Sequence, residues 1–451
     1  MSVFGAGIDV KQRGDKGLSI GLMKLLSLAW EDPDIRQRMI FVLMMFGVFA
    51  LGVYIPVPIP GVDPQRIYKE MMENNTFFQL LNSMGGGAIK HLSIFALGLN
   101  PYITSSIVLQ IYTQASPALK QEMKEGGEYA RRRNNARTRL VTLALCLVQG
   151  FGFLRMIAGY EPSINNIWVQ IPVVVMWTAG AMFQLWLGEQ ITERGIGNGI
   201  SLMIFAGIII ALPTQFGMLQ ADVSNGIVAW WQIALLIVVF VATTWLVVLF
   251  TTAQRRIPIQ TARRQFGNRA VAGQVNYLPI SVNTAGVIPI IFAVSLLFMP
   301  RQFASYAPGT AFSQFMINVS DYLNPVGPNG KAAVGSLVYV AMIFVFSYFY
   351  TAIQYNVEDM ADNLKKSNAF IPGVRPGAKT KEFLDGVISR VTIIGACFLA
   401  VVALTQYWGP NLLGIQRMSI VGGTTLLIVV SVALETMRQI EANILMKQYG
   451  S

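Results

Sequence analysis

The chain has 451 residues, 53% of them hydrophobic and 13% charged, with a mean hydropathy of +0.51 and a formal net charge of +11. That composition excludes an ordinary soluble globule and points to a protein that crosses a membrane several times. One histidine, His91, and two cysteines, Cys146 and Cys397, leave neither a metal-ligand set nor a disulfide framework.

Apolar runs near the roughly 20 residues needed to cross a bilayer predict ten spans. They fall at 37–56, 95–116, 139–159, 168–188, 200–213, 229–252, 282–300, 334–355, 387–408 and 421–442. The residues before Arg36 carry no signal-peptide core or cleavage site and read as mature cytosolic sequence. Most of the 34 lysines and arginines lie in 1–38, 117–139, 189–199, 253–280, 357–390 and from 438 onward. By the positive-inside rule those segments, and both termini, are cytoplasmic. Attraction to anionic lipids accounts for the same charge.

The second predicted span is unusual. In TFFQLLNSMGGGAIKHLSIFALGLNPYITSSIVLQIYTQAS (76–116), an apolar segment stops at Gly85, Gly86 and Gly87 and restarts across Asn100-Pro101. Glycines disfavour helix and proline removes a donor, so the segment is expected to be broken, with a weak point at Asn100-Pro101. Backbone that leaves helical pairing at membrane depth must face water or protein, so broken spans line cavities. His91, beside the triplet, reads as a polar residue near an aqueous surface. Both cysteines fall within spans and read as small packing residues.

Two catalytic motifs are missing: the sequence contains no H-E-x-x-H and no G-x-x-x-x-G-K-[ST]. Asp359, Asp362 and Asp385 fall in a basic cytosolic segment, which argues against intramembrane proteolysis. Glu189 and Glu435 lie toward span ends, leaving span centres nearly free of the carboxylates that ion-coupled transporters use. A passive conduit, a scaffold for lipid-bound segments and a carrier of large cargo remain, with a small-solute transporter as the competing class. Two basic cytosolic loops stand out. One, 254–280, carries Arg255, Arg256, Arg263 and Arg264 among β-branched and aromatic residues and reads as an ordered protrusion. The other, 357–386, holds Arg375 at a turn built from Pro372, Gly373, Pro376 and Gly377. A topology determinant explains these charges as well as a docking surface does.

Five stretches in order along the chain resemble the SecY family of protein-translocation channels. They are SIFALGLNPYITSSI (93–107), WLGEQITERGIGNGISLMIFAGI (186–208), VNTAGVIPIIFA (282–293), ADNLKKSNAFIPGVRPG (361–377) and GGTTLLIVVSV (422–432). The resemblance implies an all-α membrane protein of ten transmembrane helices in two pseudo-symmetric five-helix halves, 1–213 and 214–451. It implies a bacterial cytoplasmic-membrane channel for unfolded secretory chains, no cofactor and no enzymatic activity. A plug at about 76–92, including Ser83, Met84, Gly85, Gly86 and Gly87, would close the outer funnel. Leu99, Ile103, Ile200, Ile204, Ile291 and Ile428 match the family's pore ring. Leu99 and Ile103, and Ile200 and Ile204, are spaced i, i+4 and can share helix faces, as residues in any buried stripe do. Thr104, Gln149 and Asn283 would belong to a lateral gate between the second and seventh spans. Arg255, Arg256, Arg263, Arg264 and Arg375 would dock the ribosome or the motor ATPase SecA. SecE and SecG subunits, signal sequences and nascent polypeptides are the other implied partners. Two departures from the family pattern stand beside the ring: Asn100 occupies a usually apolar position, and Leu99 replaces the more frequent isoleucine.

Overall fold

The structure, a computed structural model, describes residues 22–72, 82–159, 164, 166–226, 228–261, 265–266, 269–270, 275–304, 309–325, 331–413 and 423–450. The helices are α1 (Leu22–Glu31), α2 (Pro33–Val53), α3 (Pro64–Met72), α4 (Asn100–Ala115), α5 (Pro117–Glu125), α6 (Gly127–Ala158), α7 (Ile167–Arg194) and α8 (Gly199–Ser224). They continue as α9 (Trp230–Thr252), α10 (Ile288–Ala304), α11 (Ala311–Leu323), α12 (Lys331–Gln354), α13 (Val357–Lys366), α14 (Ala378–Leu413) and α15 (Thr424–Gly450). Every one of the ten predicted spans contains a helix. Among the described residues, seven helical stretches are long and apolar enough to cross a membrane by themselves. The protein is an all-α membrane protein with a small β-sheet outside the bundle.

Side-chain caps fix where several helices begin. The Asp32 carboxylate accepts from the backbone N–H groups of Asp34 and Ile35, and Pro33 sits where a missing N–H costs nothing. Asn198 likewise accepts from Ile200 and Ser201 at the start of α8. Four expectations are corrected. The second span begins at Asn100 instead of 95, because Gly98 takes a left-handed φ of 59° and residues 93–99 form turns. Asn100-Pro101 is consequently the first turn of α4 and not a weak point, since proline there forfeits no helical hydrogen bond. The seventh span begins at Ile288, after a turn in which Gly286 has a φ of 62°. The fifth runs through Pro213 to Ser224, so the boundary at 213/214 falls inside α8. Proline is tolerated there because a membrane helix has neighbours to serve the carbonyl it orphans. Of the cysteines, Cys146 is buried as expected, whereas Cys397 is exposed on α14.

The helices pack in two sets. In the first, α6 lies against α4 and α7, α7 against α8, and α2 against both α7 and α8. In the second, α10 packs on α11 and α12, α12 on α14, and α9 on α14 and α15. The sets meet where α10 touches α4 and α6, where α15 touches α8, and where α1 reaches α15. One apolar cluster spans the junction and includes Phe49, Phe95, Ile103, Ile204, Ile290, Val294, Tyr339 and Ile428. Large exposed apolar side chains such as Trp230, Trp231, Val238 and Trp245 on α9 suit a lipid-facing helix.

The two basic loops form one platform. Strands β1 (Gln254–Thr261) and β4 (Val275–Ser281) pair antiparallel from Gln254↔Ser281 to Gln260↔Val275. Strand β5 (Ala369–Phe370), from the other loop, pairs with the far end of β1. Between them, in chain order, β2 (Gln265–Phe266) and β3 (Arg269–Ala270) form a separate short ladder. Ile257, Ile280, Ile371, Leu384 and Ile388 are buried beneath the sheet, tying it to the start of α14.

At the ends of the chain, Lys447 of α15 donates to Asp32 at 2.9 Å and 3.0 Å and to Asp34 at 2.7 Å. Leu25, Ala29, Ile35, Ile196, Ile440 and Ile444 are buried beside this cluster and join the two sets. The ammonium of Lys447 and the N–H groups of Asp34 and Ile35 hold the Asp32 carboxyl below its ordinary 3.8. A depressed carboxyl contributes stability that is present above pH 3.8 and lost as pH falls through its lower folded value. Protection of the α1 amides, taken relative to the intrinsic exchange rate at each pH, should therefore fall in acid, and Lys447→Met should lower it already at neutral pH. Identical exchange in variant and parent would remove the tie.

Candidate functional site

Residues 82–99 fold back across the bundle. A helical turn at 82–84 ends at the triplet, where Gly86 and Gly87 have φ of 72° and 90°. Any side chain at these two positions would be strained, which is why the segment cannot continue as helix. Beyond the turn the chain is anchored. Val57 N donates to Leu92 O and Ile94 N to Ile55 O, each at 3.0 Å, giving a short bridge to the end of α2. Phe95 is buried and stacks between Phe49 and Phe183 at 5.8 Å and 6.2 Å. Glycines make the room: a β-carbon on Gly52 would lie 2.0 Å from the Phe95 ring, and one on Gly180 would lie 1.9 Å from Ile94 O. His91 packs its ring against Tyr54 at 5.1 Å.

Below this segment is a cavity of about 60 Å³. Leu99 and Ile103 of the α4 entry, Ile204 of α8, Ile291 of α10 and Ile428 of α15 all line it. Met84, Gly85, Ala88 and Ile89 line it as well, so the glycine turn and the apolar side chains share one space. Ile103, Ile204 and Ile428 are buried, while Leu99 and Ile291 are partly buried against the same cluster. Ile200 is not among the lining residues. One turn before Ile204, its Cδ1 lies against α7, 2.7 Å from where a β-carbon on Gly188 would sit.

Polar groups at the cavity are few: Asn100, Gln184, Ser295 and Thr424. Gln184 of α7 was not singled out by the sequence. It is 1% exposed, and its Oε1 has no hydrogen-bond partner among the described residues. An amide isolated in an apolar span was the signal that could have found it.

The three expected gate residues lie on or near packed elements but are not hydrogen-bonded to one another. Thr104 donates to Asn100 O at 3.0 Å within α4. Gln149 is buried on α6, which touches both α4 and α10. Asn283 precedes α10, is buried, and has neither side-chain atom paired among the described residues. The polar link between α4 and α6 is instead the buried pair Ser105 Oγ and Thr142 Oγ1, 2.6 Å apart.

On the platform, Arg255 and Arg256 are exposed on β1, and Arg375 is exposed in a turn where Gly373 and Gly377 have φ of 81° and 97°. Thr380 Oγ1 donates to Arg375 O at 3.0 Å and fastens that turn to α14. Val374, Arg375, Lys379, Phe383 and Arg390 line an open recess of about 610 Å³. Arg263 and Arg264 lie outside the described residues, as do residues 76–81 of the expected plug.

The SecY family model matches residues 93–437. A protein translocase subunit SecY from Staphylococcus epidermidis is 38% identical over 424 residues, 92% of this chain and 96% of the relative. One from Staphylococcus aureus is 38% identical over 431 residues, 93% of this chain and 97% of the relative. Among solved structures, one described as a protein conducting channel matches at a TM-score of 0.65 and 16% identity, covering 92% of this chain and 94% of that one. A SecY structure whose plug domain is described as stabilising the closed state of the translocation channel matches at 0.66 and 16%, covering 95% and 99%. A Sec61 chain from a canine ribosome-channel complex matches at 0.61 and 16%, covering 92% and 94%. At that identity the solved structures establish the fold, and the staphylococcal relatives with the family match establish descent: this chain belongs to the SecY family.

Proposed function

We propose that the chain is the central subunit of a protein-conducting channel: a passive gated pore that passes unfolded secretory polypeptides across the cytoplasmic membrane and releases apolar segments sideways into lipid. The observation that carries this reading is the single cavity of about 60 Å³ shared by Leu99, Ile103, Ile204, Ile291 and Ile428 with Met84 and Gly85. Four separate elements contribute those apolar side chains. A narrow apolar neck dewets and so resists ion flow, while flexible branched side chains can close around a passing chain. In this reading 76–92 is the plug, and Ile200 completes the ring when α8 shifts against α7. The family's role is that of a channel subunit and not of an enzyme.

The two packed sets act as two pseudo-symmetric halves, and the junction of α4 and α6 with α10 is the lateral gate. Thr104, Gln149 and Asn283 supply its polar groups. Both termini face the cytoplasm, as the distribution of lysine and arginine requires. The cytosolic sheet presents Arg255, Arg256 and Arg375, with Arg263 and Arg264 in the same loop, to the ribosome or to SecA. Energy then comes from the partner or the membrane potential, since the sequence holds no phosphate-binding loop. SecE and SecG complete the assembly, signal sequences and nascent chains are its cargo, and anionic lipids meet its basic face.

Three variants test this. Ile291→Asn places an amide in the neck and should raise resting ion leak and relax signal-sequence selectivity in reconstituted vesicles; parental behaviour in both assays would sink the ring assignment. Arg375→Glu should stop SecA-driven protection of a secretory precursor from protease while the subunit still assembles, and unimpaired translocation would refute the docking role. Gln149→Ala removes one buried amide, worth about 1 kcal/mol in a membrane, and should bias gate opening without abolishing transport. Complete loss of transport in that variant would show that Gln149 does more than tune the gate.

A further inference from the structure

The glycine turn does not merely hang over the neck; it rests on α8. A β-carbon on Gly207 would lie 2.0 Å from the carbonyl oxygen of Met84, 3.0 Å from its carbonyl carbon and 3.2 Å from Gly86 N. From the other side, a β-carbon on Gly86 would lie 3.5 Å from Gly207 Cα. The two backbones are in contact, and no other residue type at 207 leaves room for that contact. Eight residues further on, Gln215 Nε2 donates to Ser83 Oγ at 2.7 Å. Its Oε1 has no hydrogen-bond partner among the described residues, so the amide is held by this one bond at the turn.

Spacing makes these contacts parts of one surface. Ile204, Gly207, Ala211 and Gln215 recur at i, i+3, i+7 and i+11, which is a single face of α8. That face offers the neck a branched side chain, the turn a bare backbone, and the Ser83 hydroxyl an amide. The base of the turn is fixed far more firmly, by the bridge to residues 55–57 and by Phe95. Between base and tip, Gly87 has a φ of 90°, a conformation that glycine adopts without strain. The tip can therefore leave α8 while the base stays in place.

We propose that Gly207 and Gln215 are positioning residues: a seat on α8 that holds residues 83–86 over the neck in the closed channel, so that movement of α8 releases the tip and widens the ring together. The seat rests on the channel reading above. Its release costs one backbone contact, one hydrogen bond and the packing of Met84 at the cavity, and the same helix carries Ile204, so a movement of α8 reaches neck and tip together.

The test is ion leak without substrate, read by an anion-sensitive dye in vesicles made from membranes that carry the full chain and its assembled partners. Gly207→Ala should raise the leak about tenfold, since the methyl cannot be accommodated without lifting the tip. Gln215→Ala and Ser83→Ala should each raise it about threefold, the scale of one hydrogen bond in a membrane. The double variant of Gln215 and Ser83 should leak no more than either single one, because both remove the same bond. Multiplying effects in that double variant, or a parental leak from all of them while Ile291→Asn leaks, would overturn the seat and leave the neck reading intact. A silent Ile291→Asn would bring down the ring assignment, and the seat with it. If Gly207→Ala fails to reach the membrane, the Gln215 and Ser83 cycle decides alone.

Discussion

A backbone that leaves helical pairing inside a hydrophobic slab must find its donors and acceptors elsewhere, at several kcal/mol for each group left bare. Residues 82–99 meet that demand within themselves and against one neighbour. Gly87 N donates to Asn82 O at 2.8 Å, Ser93 N to Ala88 O at 3.0 Å and Lys90 N to the Asn82 side chain at 3.0 Å. Val57 N and Ile55 O, just beyond α2, add two more bonds. Because these bonds are local, the segment can sit in the middle of the bundle as a compact turn. The rest of the architecture leaves room for it.

That room is made by glycine. Helices α2, α7 and α8 each place a glycine where the turn segment passes, at Gly52, Gly180 and Gly207. Each approach is closer than any side chain permits, so the helices hold the segment by shape more than by hydrogen bonding. Leu99, Ile103, Ile204, Ile291 and Ile428 then fill what remains, down to a cavity of about 60 Å³. A void that size admits a few waters yet is walled mainly by carbon, which suits a closed pore. The buried Gln184 is one of four polar side chains in that wall, and its Oε1 has no hydrogen-bond partner among the described residues.

Outside the helical bundle the governing device is the sheet. Two loops more than a hundred residues apart in sequence share strand β1 through the Gln260↔Phe370 and Thr261↔Ala369 pairs. Arg255, Arg256 and Arg375 are thereby held by one support, with Ile257, Ile280 and Leu384 as its buried underside. Lys447 and its two aspartates perform a similar joining, bringing the start of α2 to α15.

By itself the sequence determined the membrane class, the positions of all ten apolar helices and the break at Gly85–Gly87, because hydropathy and backbone permissiveness act locally. Helical period also allowed Leu99 with Ile103 and Ile200 with Ile204 to share faces; the first pair lines one cavity, and the second is divided between cavity and helix α7. Helix ends were less legible. Pro213 reads as a stop and is none, and Pro101 reads as a break and is a helix start, because neighbouring helices and position within a turn decide what a proline costs. Only the tertiary structure decided that Ile200 faces α7 while Ile204 faces the cavity, and that Thr104, Gln149 and Asn283 form no common network. It also decided that Gly207, one of many glycines in the chain, is the one pressed against Met84. Such contacts join residues more than a hundred positions apart, and a one-dimensional pattern carries no record of which two backbones meet.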